Sequence, residues 1–84
     1  MRDMAILNIT YNGLSADYAM PVDYHLSDGD ICRIAVEVIR SGEVKGLQIA
    51  NLPADAFENY VVDRLQSTSG EHRIYLRPKV PFGG

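Results

Sequence analysis

The sequence predicts one small α+β domain in which a single helix covers a mixed sheet of four to five strands. Three observations carry this. Two stretches of period-two hydrophobicity flank an Asn-Gly pair near the start of the chain. One stretch of helical periodicity follows and ends at a glycine. A second pair of β-rich segments, separated by a turn cluster, lies near the end. With 84 residues there is room for one domain only, and such a chain buries roughly 60–65% of the surface its unfolded form exposes.

From Ala5 to Tyr11, Leu7, Ile9 and Tyr11 share one face, and Asn8 and Thr10 the other, as in a strand with one buried side. Asn12-Gly13 suits a two-residue type I′ hairpin turn, because both of its central positions need positive φ. The second strand is expected from about Leu14 to Leu26, with Ala16, Tyr18, Met20, Val22, Tyr24 and Leu26 on one face. Pro21 has no N–H for a ladder, so this strand belongs at an edge or is bulged there.

The period then changes. Ser27 reads as an N-cap, and Asp28 and Asp30 lie in the first turn, where the helix dipole favours anions. Ile31, Ile34, Ala35, Val38 and Ile39 make one apolar stripe, with Cys32 and Val36 at its flank. Asp30, Arg33, Glu37 and Arg40 take the opposite arc, and Gly42 stops the helix, which is expected over 27–41. Residues 43–57 read as an irregular crossover, with Pro53 opening a short helical turn. Tyr60–Leu65 and Arg73–Leu76 are the last two strands, joined through Ser67-Thr68-Ser69-Gly70. Pro78 and Pro81 are expected to end sheet pairing, so residues 1–78 form the domain and 79–84 a tail.

A helix with one apolar stripe must cover something, and two hairpins joined edge to edge supply the sheet. A right-handed crossover sets the last strand parallel to the first, which is the β-grasp arrangement. A ferredoxin-like sheet needs a second helix, which residues 43–57 do not supply.

Composition narrows the function classes. The chain is 46% hydrophobic and 23% charged with a net charge of −3, so it lacks the basic excess of a nucleic-acid binder. No apolar run approaches the roughly 20 residues that span a bilayer, and no signal-peptide core follows the first residues, so a cytoplasmic location is expected. Cys32, the single cysteine, cannot form an internal disulfide and reads as structural. His25 and His72 have no triad partner or zinc spacing and read as surface residues. No catalytic group, metal site or cofactor is expected, and the chain is not read as an enzyme.

The element order, and the run Arg77-Pro78-Lys79-Val80-Pro81-Phe82-Gly83-Gly84, resemble ubiquitin-like β-grasp proteins, including bacterial ubiquitin-like proteins and sulfur carriers. The small subunit of molybdopterin synthase is similar at this end; Phe82 directly before the glycines is a departure from it. The resemblance implies a protein modifier or sulfur carrier. Its Gly84 carboxylate would be activated by an ATP-dependent adenylating enzyme, with Gly83 supplying clearance in a narrow channel. A conjugating enzyme and a deconjugating peptidase are further implied partners; neither nucleic acid nor membrane is. Lys79 to Gly84 reach roughly 20 Å when extended. Arg64, Arg73, Arg77, Lys79 and Phe82 are the expected partner-binding residues, the cations forming either a solvated edge or a dock for an acidic surface. The alternative is a non-covalent interaction module that binds through its sheet face or an edge strand, with an incidental diglycine.

Overall fold

The computed structural model describes residues 3–68 and 70–79. The elements run β1 (Met4–Tyr11), β2 (Leu14–Asp17), β3 (Val22–Asp23), α1 (Asp28–Arg40), β4 (Tyr60–Leu65) and β5 (His72–Pro78). The sheet order is β2-β1-β5-β4, and β3 also pairs with β1. β1 and β5 are parallel, with Leu7 opposite Ile74 and Ile9 opposite Leu76; every other pairing is antiparallel. One helix against a mixed five-stranded sheet is the α+β, β-grasp-like arrangement expected from the sequence.

Local chemistry accounts for most of the elements. Asn12 and Gly13 have φ of 51° and 78°, and Tyr11 pairs with Leu14 across them, the geometry an Asn-Gly turn imposes. Ser27 accepts the Asp30 N–H on its hydroxyl at 3.1 Å and caps α1. Gly42, at φ 79°, follows the Ser41 C-cap, and its N–H donates to the Ile39 carbonyl.

The inner face of the sheet and the helix stripe make the core. Ala5, Leu7 and Ile9 of β1, Ile74 and Leu76 of β5, and Ile31, Ala35, Val38 and Ile39 of α1 are buried together. Each large aliphatic buried this way stabilises the fold by about 1.5–3 kcal/mol before chain entropy is counted. The crossover is irregular, as expected, yet it supplies Val44, Leu47, Leu52 and Phe57 to the same core. Its 53–60 stretch is a run of tight turns, in which the N–H groups of Ala56, Glu58 and Tyr60 donate to Pro53, Asp55 and Phe57. The Phe57 ring meets Tyr60 edge-on at 4.8 Å and Tyr11 at 5.8 Å.

Four expectations need correction. The second strand is not continuous to Leu26. Pairing breaks between Asp17 and Val22, and the β1 register shifts from Asn8–Asp17 to Ala5–Val22, so the strand carries two extra residues around Pro21. Met20 consequently lies 59% exposed instead of inside with Val22. The last strand runs on through Pro78, which sits opposite Tyr60; a proline at a strand's final residue costs no interior ladder bond. His72 is not a surface residue. It is 8% exposed, because it lies on the inward-facing side of β5 with Ile74 and Leu76. The proposed domain boundary at 78 falls where β5 ends, and of the 79–84 segment Lys79 alone is a described residue; it is exposed.

Phe57→Ala is expected to destabilise the domain by about 3–5 kcal/mol, from lost burial and the cavity left behind. Urea unfolding measures this, with the slope unchanged from the parent.

Candidate functional site

The expected functional residues lie along β5 and the chain that follows it. β5 is an inner strand, held by β1 on one side and β4 on the other. Alternation sends His72, Ile74 and Leu76 toward the helix and Arg73, Tyr75 and Arg77 to the opposite face of the sheet. On that face Arg73 and Arg77 lie over the Tyr75 ring, at 5.4 and 5.3 Å from its centroid.

Each of these arginines is paired. Arg73 reaches Asp17 at 3.0 Å and Glu71 at 3.6 Å. Arg77 reaches Asp63 at 2.8 Å. Partial burial works against the charge on Arg73, but hydrogen bonds to Asp17 and Tyr75 outweigh it and lift the guanidinium above its ordinary value. Asp17 also accepts from Asn8 at 2.8 Å, and Ser15 links Asn8 to Thr10. The outer face is thus a polar lattice over β2, β1, β5 and β4 in which neighbouring carboxylates orient the cations, with Arg73 Nε buried and without a hydrogen-bond partner among the described residues.

Arg64 stands apart. It lies opposite Ile74, so its side chain leaves β4 on the helix side of the sheet. There Nη1 meets Asp28 at 2.7 Å, Nε donates to the Tyr24 carbonyl at 3.4 Å, and Nη2 donates to the Leu26 carbonyl. The segment that leads into α1 is thereby tied to β4 by one guanidinium. The structure therefore brings Arg73 and Arg77 together and places Arg64 on the other face. Phe82, Gly83 and Gly84 lie outside the described residues.

Two further groupings were not singled out by sequence. Asp3 sits 2.9 Å from His25 Nε2 and 3.9 Å from His72 Nε2, and Tyr24 packs on His72 at 4.6 Å between ring centroids. The His25 hydrogen bond holds the Asp3 carboxyl below the usual carboxylate range, against a weaker effect of desolvation. A depressed carboxylate stabilises the fold above its unfolded pKa, and the contribution is lost as the pH falls through the folded value. The second grouping is a groove of about 370 Å³ between α1 and the 54–58 turns, floored by Cys32, Val36 and Phe57. The Cys32 thiol donates to the Phe57 carbonyl at 3.6 Å; burial, and then the charge of Asp28, push its pKa up. Among the described residues no group of histidine, cysteine and acidic side chains is arranged to hold a metal ion, and no helix is long and apolar enough to cross a membrane.

Two outcomes follow from this geometry. Arg64→Ala is expected to cost about 1–3 kcal/mol in urea unfolding, because it leaves the Tyr24 and Leu26 carbonyls without their donor, whereas removal of the more exposed Arg77 by Arg77→Ala costs under about 1 kcal/mol. Iodoacetamide at pH 8 is expected to alkylate Cys32 more slowly than free cysteine, the difference vanishing in urea, since a raised pKa leaves less thiolate.

Compared with protein-family models, with curated proteins and with solved structures, the chain finds no match.

Proposed function

We propose that this chain is a modifier or sulfur carrier of the ubiquitin-like kind, working through the carboxylate of Gly84. The single observation that supports the reading is the parallel β1–β5 pairing. It puts the last strand inside the sheet, held on both sides, so the segment that carries Pro81-Phe82-Gly83-Gly84 starts from a fixed point beside Tyr60. A reactive end on a rigid platform is what presentation to a partner's active site requires.

In this reading the Gly84 carboxylate attacks the α-phosphorus of ATP on an adenylating enzyme, forming an acyl adenylate and releasing pyrophosphate. A thiol, a lysine amine or sulfide then attacks the acyl carbon and expels AMP. The products are a thioester, an isopeptide or a thiocarboxylate. The carrier supplies no catalytic group; metal and cationic groups of the enzyme stabilise the phosphoryl charge. Gly83 and Gly84, without Cβ atoms, let the backbone enter a narrow channel. Arg77, braced on Tyr75, and exposed Lys79 offer cations beside the exit point to an acidic docking surface, with Arg73 further back along β5. A conjugating enzyme, a deconjugating peptidase and a cytoplasmic setting belong to the same reading. The chemistry requires a free carboxylate on Gly84, present from synthesis or released by cleavage after it.

The test is mass spectrometry of the chain expressed in its native cell with an amino-terminal tag. Protein conjugation predicts trypsin-resistant Val80-Pro81-Phe82-Gly83-Gly84 branches on acceptor lysines, because trypsin cuts after Lys79. Sulfur transfer predicts an intact mass in which one carboxylate oxygen is replaced by sulfur. Deleting Gly84 is expected to abolish either product while changing stability by less than about 0.5 kcal/mol. Equal products from the truncated chain, or none from the full one, contradict the proposal; a loss of partner binding on sheet-face substitution alone then assigns the chain as a non-covalent adaptor.

A further inference from the structure

The two edges of the sheet are built differently. On one side β2 has four residues and β3 two, the gap between them holds Pro21, and Asp17 and Asp23 sit at their ends. Short strands, proline, an interruption and charge are the devices that keep an edge from pairing with another chain. β4, at the other side, has neither the proline nor the interruption, and its charges are Asp63 on the outer face and Arg64 on the inner one. Its six residues, Tyr60-Val61-Val62-Asp63-Arg64-Leu65, are uninterrupted, lack proline and lysine, and are rich in β-formers. Among the described residues no strand pairs with its far side.

Its side chains mark one face as sticky. Val61, Asp63 and Leu65 point away from the helix, beside Arg77, Tyr75 and Arg73 respectively. Val61 is 39% exposed and Leu65 55%. Asp63 lies between them, with one carboxylate oxygen on Arg77 and about half of its side chain open to solvent. On the inward face Tyr60 and Val62 pack against the core, and Arg64 is tied to Asp28.

We propose that β4 is a docking edge that takes up an extended strand from another protein, with an apolar–basic–apolar pattern at alternate positions. On the side of β4 that no described strand pairs with, backbone N–H and C=O groups supply the affinity, and the outward side chains supply the pattern. Apolar residues of the incoming strand lie against Val61 and Leu65, and a lysine or arginine lies against Asp63. Charge works against a second copy of this chain in the two-fold antiparallel register that sets Val61 against Leu65, where Asp63 faces Asp63, and in the next one along, where Arg64 faces Arg64; the register centred on Val62 brings no like charges together, so a homodimer is an outcome the test must separate. This edge is independent of Gly84, so the proposal stands or falls separately from carboxylate activation.

The test uses the full chain labelled with nitrogen-15 and the synthetic peptide acetyl-Ser-Val-Thr-Lys-Thr-Val-Ser-amide. Titration is expected to shift the β4 amides and slow their hydrogen exchange. A counterpart with glutamate in place of lysine binds about tenfold more weakly. Two backbone N-methylated versions, one at both threonines and one at the lysine and both valines, separate strand pairing from general stickiness. Pairing leaves one set tolerated and weakens the other about tenfold or more, because alternate N–H groups face β4. The proposal is overturned if the peptide does not bind, if shifts fall away from β4, if the lysine and glutamate peptides bind alike, if both methylated versions match the parent, or if sedimentation shows a homodimer that buries β4.

Discussion

The parallel pairing of β1 with β5 is the constraint from which the other features of this molecule follow. Parallel neighbours cannot be joined by a tight turn, so the chain must leave one end of the sheet, cross its face and return. α1 and the 43–59 segment make that crossing, and both bury apolar side chains against the strands they connect. Leu7 and Ile9 opposite Ile74 and Leu76 give the pairing its apolar underside, buried in one core with Ile31, Ala35 and Ile39. With β5 inside, β2 and β3 become one margin of the sheet and β4 the other. The same pairing fixes where the chain emerges after Pro78.

The two faces of the sheet do different work. The inner face is dry, apart from His72 at its end and the Arg64 clasp at its side. His72 Nδ1 is buried without a hydrogen-bond partner among the described residues, a cost the fold tolerates where Tyr24 and Asp3 close over the ring. The outer face is wet and self-neutralising: Arg73 with Asp17, Arg77 with Asp63, and Tyr75 between the two guanidinia. Exposed pairs of this kind add little stability, but they orient charge, which matters for recognition. β4 borders that lattice with Val61 and Leu65, so apolar contact area and oriented charge lie side by side.

Much of this was legible in the sequence wherever local chemistry decides the outcome. Asn12-Gly13 demands its turn, Ser27 and Gly42 bracket the helix, and the 3.6-residue stripe from Ile31 to Ile39 names its buried face. The rest depends on partners distant in sequence. Arg64 meets Tyr24, Leu26 and Asp28 only after folding, so a view of the last hairpin alone groups it with Arg73 and Arg77. His72 is buried because β5 begins one residue earlier than its apolar run suggests, and strand parity then turns it inward. Pro21 signalled trouble in the second strand, but the two-residue register shift comes from the competing needs of Val22 for the core and Asp17 for Asn8 and Arg73. The irregular crossover carries no periodicity, so the burial of Val44, Leu47, Leu52 and Phe57 had no pattern to announce it.

The central claim is most directly tested by solution NMR on the uniformly labelled chain, through backbone cross-strand Overhauser contacts. A parallel β1–β5 pair gives contacts that advance together along both strands, with Leu7 near Ile74 and Ile9 near Leu76, and places these amides among the slowest to exchange. Contacts that run in opposite directions along the two strands, or fast exchange at Leu7 and Ile74, would contradict the account.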